Sequence, residues 1–153
     1  FFQAEDGIRD KGMWLEFRRV LFRSIIQVTY PSYRKLLKLG KKQIFRIAPC
    51  RTYVGKYYSI LNLVEIDCRS TEENTLVTLA HELVHAEQFQ QKRLDVKKIK
   101  CNKTRKSEWV FYWHGQPTKN KCYWSLPWEI EARQRQSTIA QQVVEMVYEK
   151  IWF

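Results

Sequence analysis

No apolar run in this chain approaches the roughly 18 residues that a membrane-crossing helix requires. The one run long enough to notice, residues 75–84, is interrupted by His81 and Glu82. The four cysteines, Cys50, Cys68, Cys101 and Cys122, form no C-x-x-C pair, which argues against a compact zinc knuckle. No signal-peptide pattern accompanies them, so free thiols are expected rather than a Cys101–Cys122 cross-link. Repeats and linkers rich in Gly or Ser are missing, and 153 residues suit a single domain. Acidic residues are scarce, 16 against 27 basic ones, for a net charge of +11. That balance suits a basic soluble surface, or affinity for nucleic acid, anionic lipid or an acidic substrate. The hydrophobic content of 44% is enough for a packed core.

The first residues stand apart. FFQAEDGIRD and EFRRVLFRS resemble translated sequencing-adapter DNA, so residues 1–24 are expected to be an artefactual leader and residues 25–153 the domain. The alternative is an amphipathic leader, with Trp14, Phe17, Leu21 and Ile25 at helical spacing. The leader holds five basic and four acidic residues, so leaving it out lowers +11 only to +10.

Further on, Pro31 and Gly40 bracket an expected short helix over 30–39. Residues 43–48 and 60–67 alternate as strands do, and 52–58 is rich in Tyr, Val and Thr. A small sheet with a hairpin follows from these. Ser70 and Glu73 have the spacing of a capping box, and a helix is expected over 71–92. Residues 93–127 show no clean period, basic early and aromatic later, and read as a long loop. Pro127 opens a last helix, to about Lys150.

The middle helix carries HELVH. His81 and His85 lie four apart, one above the other on one face, and Glu82 is turned about 100° from His81. Two imidazoles with a glutamate after the first form the pattern of a zinc metallopeptidase. A catalytic zinc site needs a third protein ligand. The last helix offers Glu129 and Glu131. Glu129 shares a stripe with Ala132, Arg133, Gln136, Ala140, Val143, Val144 and Val147, which turns apolar and should face inward. Glu131 shares one with Arg135, Thr138, Gln142, Glu145 and Glu149, which should face water. Register therefore selects Glu129. His114, in WHGQP, is the competing ligand.

LVTLAHELVHAEQFQ and LPWEIEAR together resemble the gluzincin-type zinc metallopeptidases, which use two histidines and a distal glutamate, and among them small phage-like and bacterial ones. The alanine three residues after Glu129 agrees with that pattern. Arg133 departs from it, since Asp or Asn often follows the alanine. No third histidine follows His85 closely, so the other zincin variant is not matched. The resemblance implies an α+β, zincin-like fold: a small mixed β-sheet packed on an active-site helix and a second metal-bearing helix.

It also implies zinc held by His81, His85 and Glu129, and peptide-bond hydrolysis with Glu82 as general base. His114 and Tyr123 are the preferred donors to the reaction's oxyanion, ahead of Tyr112 and Arg133. The VEID strand is expected to bind an extended peptide along its edge. A protein or peptide is the expected partner, with nucleic acid at the basic segment 97–106 and no membrane. A microbial cytoplasm, or that of a phage-infected cell, is the expected setting. The alternatives are a nucleic-acid-associated protein with a structural metal site, and an inactive zincin-like interaction domain.

Overall fold

The computed structural model describes residues 3–100, 107–118 and 122–152. They form a mixed α+β fold of three helices and two small sheets. Helix α1 runs from Gln3 to Leu36, through Pro31 and across residue 24 without a break. The short helix expected over 30–39 is thus the end of a much longer one. Its buried face is Phe22, Ile26, Tyr30 and Tyr33, close to the 3.6-residue repeat, and Leu37 just past its end continues it. Trp14 and Phe17, on the stripe read from sequence, are exposed. Arg18 reaches the carbonyls of Cys68 and Ser70, which ties the early part of α1 to the sheet. Lys38, with φ of 51°, ends α1 where Gly40 was expected to do so.

The first sheet contains β1 (Ile44–Ala48), β2 (Gly55–Tyr58) and β3 (Leu63–Asp67), in the order β1-β3-β2. β3 runs parallel to β1 and antiparallel to β2. All five β3 residues are buried. Its acids are paired: Glu65 with Arg46 and the Tyr53 hydroxyl, Asp67 with Arg69. Because both edges of β3 are taken, the VEID strand cannot accept a peptide along its edge. The edge strands are β1 and β2, and β2 is the one that lines the cleft.

Helix α2 spans Glu72–Gln90. Its cap is Thr71, whose hydroxyl accepts the Asn74 N–H at 3.2 Å. The Ser70–Glu73 box is not formed, since the Ser70 N–H turns back to the Asp67 carbonyl. From Glu82 to Gln88 every residue is buried. A helix covered all round is a core helix, and each polar group on it must find a partner. Four such groups, Glu82, His85, Glu87 and Gln88, lie in that stretch.

Residues 93–127 are not a long loop. Leu94–Lys100 (β4) and Ser107–Trp113 (β5) pair antiparallel, and β6 (Gln116–Pro117) adds a short third strand. The signal is hidden for two reasons. Lys98 breaks the alternation of β4, and β5 carries large side chains at both parities. Phe111 stacks on Trp128 at 5.5 Å, and Lys97 and Lys98 sit over Tyr112 and Trp109. Cys101 and residues 103–106 of the basic segment lie outside the described residues. Cys50, Cys68 and Cys122 are free thiols.

A 3₁₀ turn at Tyr123–Ser125 leads into α3, Pro127–Trp152. Ala132, Ile139, Ala140 and Val143 of α3 join the same core as Leu79, Leu83 and Val84 of α2 and Tyr30 and Tyr33 of α1. The inward stripe read from Glu129 onward is therefore the one that packs.

Candidate metal centre

α2 and α3 lie against each other, and their buried polar groups meet. His81 Nε2 lies 3.1 Å from His85 Nε2 and 3.2 Å from Glu129 Oε2. His85 Nε2 lies 3.3 Å from Glu129 Oε1. Zinc–nitrogen bonds of about 2.0–2.1 Å in a tetrahedron require ligand–ligand edges of roughly 3.3–3.4 Å. The two imidazole nitrogens fall just inside that edge, and each lies within it of one Glu129 oxygen, Oε2 for His81 and Oε1 for His85, so the donor set fits a small cation.

The outer faces of the rings support the same conclusion. His85 Nδ1 is 2.9 Å from Gln88 Oε1, and the Gln88 amide donates to the Trp128 carbonyl at 3.1 Å. That second bond orients the amide with its oxygen toward His85, so Nδ1 carries the hydrogen and Nε2 the lone pair. His81 Nδ1 has Gln136 Oε1 at 2.8 Å. The inner triangle is thus built from lone pairs and a carboxylate, an arrangement that calls for a positive charge at its centre.

The electrostatics agree. Burial disfavours charge on Glu129, yet its close approach to His81, His85 and Tyr123 holds its carboxyl far below the usual carboxylate range. Burial of His85 opposes its cation, but Glu129 and Glu82 outweigh that and raise its pKa. A proton is the competing cation here, so metal affinity falls as pH falls.

Gln88 and Gln136 do not stand out in the sequence. Their positions are nonetheless informative: Gln88 follows His85 by three residues, and Gln136 follows Glu129 by seven, two turns along the same face. Replacing Gln88 with Leu leaves the His85 Nδ1–H without its partner in a dry environment. Metal affinity measured by chelator competition is expected to fall about 10–100-fold, the usual effect of removing a partner of a ligating histidine. Unchanged affinity would refute the orienting role.

Glu82 sits beside the triangle rather than in it. Burial raises its pKa, with His85 and His81 pulling it back and the Tyr57 backbone N–H favouring the anion. Gly55 of β2 makes this approach possible. A Cβ there would lie 2.3 Å from Thr78 Cγ2 and 3.2 Å from Glu82 Cγ. Only a glycine lets the edge strand lie this close to the helix.

Tyr123 lines the same cleft, where burial and the neighbouring Glu129 carboxylate push its pKa up. Tyr112 also lines it. His114 does not join them. It occupies an exposed turn after β5 with φ of 48°, its ring against Trp113, and its backbone N–H donates to the Arg93 carbonyl. Arg133 bonds the Trp124 carbonyl at 2.6 Å and lies over the Trp124 ring.

The polar stripe of α3 faces water at Thr138, Gln142, Glu145 and Glu149, while its first residues, Glu131 and Arg135, are half-buried. Glu131 pairs with Arg93 at 2.5 Å and Arg135 at 2.8 Å, and Arg135 also holds the buried Glu87. The start of the stripe is thus matched to a buried acid of α2, which periodicity alone cannot reveal.

The triad opens into a cleft of about 1430 Å³. Residues 52–57 form one wall and residues 108–112 of β5 the other, with Phe89, Tyr123, Trp124 and Trp128 adding aromatic surface. Comparison with family models, curated proteins and solved structures finds no match for the chain.

Proposed function

We propose that this protein is a zinc-dependent endopeptidase of the gluzincin type on a zincin-like fold. The observation that carries the reading is the cluster at the base of the cleft in which His81 Nε2 and His85 Nε2 lie 3.1 Å apart and each faces one Glu129 carboxylate oxygen, at 3.2 and 3.3 Å. His81, His85 and Glu129 would hold the metal. A zinc ion bound there supplies Lewis-acid polarisation of the scissile carbonyl and a lowered pKa for water.

The rest is done by the chain itself. Glu82, which lines the cleft beside the triad, takes the proton of the attacking water and passes it to the leaving amine. Its raised pKa suits both steps, since a base works best with a pKa close to the working pH. Tyr123 is the group best situated to donate to the oxygen that gains charge in the tetrahedral intermediate. The outward backbone of β2 beside Glu82 suits an extended peptide, held by main-chain hydrogen bonds and therefore broad in sequence.

The test is metal content together with hydrolysis of an unstructured protein. About one zinc per chain is expected, with cleavage abolished by a chelator and restored by zinc. Protein that binds no zinc at neutral pH would end the enzyme reading. Zinc-loaded protein that cleaves nothing would favour the interaction-domain alternative.

A further inference from the structure

A second surface lies away from the cleft, where the end of α1 meets the β2–β3 turn. That turn, Ser59–Asn62, is closed by the Asn62 N–H to the Ser59 carbonyl at 3.3 Å, with Asn62 at φ of 49°. Its central residues are Ile60 and Leu61, which are 78% and 60% exposed. Turn centres are ordinarily polar. Ile44, at the start of β1 beside the turn, is 61% exposed. Three exposed aliphatic residues thus lie at one end of the first sheet.

Basic residues lie at the same end, on the side of α1. Arg34, Lys35, Lys38, Lys41 and Lys42 are all exposed. Four of them border a cavity of about 700 Å³ floored by Ile26, Tyr30, Leu39 and Phe45, with no acidic residue in its lining. The two features are one rigid unit. The Ile44 N–H bonds the Asn62 carbonyl at 2.9 Å, and the Asn62 amide bonds the Lys42 carbonyl at 2.9 Å. Buried Gln43 reaches the Lys41 carbonyl and the Asn62 side chain.

We infer that this end of the molecule docks on the surface of an anionic bilayer. Ile44, Ile60 and Leu61 enter the interface, and the five cations meet lipid phosphates. The aliphatic tip separates this from nucleic-acid binding. Base stacking uses aromatic and guanidinium planes, whereas branched aliphatics gain by leaving water for acyl chains. No described helix is long and apolar enough to cross a membrane. Docking at the surface needs none, so the expectation of no membrane partner, which rested on the lack of a spanning run, does not address it. The inference is independent of whether the triad binds metal.

The test is co-sedimentation with phosphatidylcholine vesicles, with and without one-third phosphatidylglycerol. Binding is expected only to the anionic vesicles. The pair Lys38→Gln and Lys42→Gln should weaken it about 25-fold, at roughly fivefold per cation near an anionic surface. Ile60→Ser with Leu61→Ser should weaken it about tenfold or more, since each buried methylene contributes roughly fourfold. Near-UV circular dichroism should be unchanged in both variants. Three results would overturn the inference: no binding to anionic vesicles, binding indifferent to the Ile60 and Leu61 changes, or tighter binding to single-stranded DNA that depends on the lysines alone.

Discussion

Replacing Glu82 with Gln is expected to abolish hydrolysis while leaving bound zinc nearly unchanged. The amide keeps the size of the carboxylate, so the close packing against Gly55 and Thr78 survives. It cannot accept the proton of an attacking water. Loss of a positioned general base costs about 10²- to 10⁴-fold. Glu82 lies outside the triangle of His81, His85 and Glu129, so the metal-binding donors are untouched. The variant also removes a buried group whose burial disfavours its charge, so it should melt no lower than the wild type. Rates are best compared on one unstructured substrate at matched zinc content. Cleavage persisting in this variant would show that another group takes the proton, and the role of Glu82 as general base would fail.

The second large effect separates two glutamates only two residues apart. Glu129→Ala should weaken zinc binding by more than the roughly 100-fold ceiling for partners of the ligands, because it removes a donor itself. Glu131→Ala should change affinity by only a few-fold. Its cost falls on the ion pairs with Arg93 and Arg135, on the order of 1 kcal/mol for a partly buried pair, while Arg135 keeps its bond to Glu87. Thermal melts with and without zinc read both at once. Ligand at about 100 times Kd stabilises by about 2.7 kcal/mol, so the wild type and Glu131→Ala should melt higher with zinc, and Glu129→Ala should not. A zinc-dependent rise in Glu129→Ala that is lost in Glu131→Ala would overturn the assignment.

The chain displays some of this without a structure and hides the rest. HELVH is legible because a spacing of four places two imidazoles on one helical face in any setting. Glu129 is legible because the last helix has an apolar stripe that can face only the core. Gln88 and Gln136 stand at helical spacing from the ligands, but an amide is uninformative until its neighbour is known. The β4–β5 hairpin is illegible because its strands are apolar or basic on both faces, which erases the alternation. His114 looks like a site residue because loops often carry them; a backbone bond to Arg93 holds it in a turn outside the cleft.

Local periodicity therefore determined the last two helices, the two histidines and the choice of Glu129 over Glu131, since those depend on the 3.6-residue repeat and on which face avoids water. Tertiary structure decided what no repeat encodes. It set the separations that bring His81, His85 and Glu129 together. It made β2 rather than β3 the edge beside the cleft. It placed Glu131 between two arginines. Each depends on which distant segment lies opposite, and such pairings arise from the packing of the whole core rather than from the order of residues along any one helix or strand.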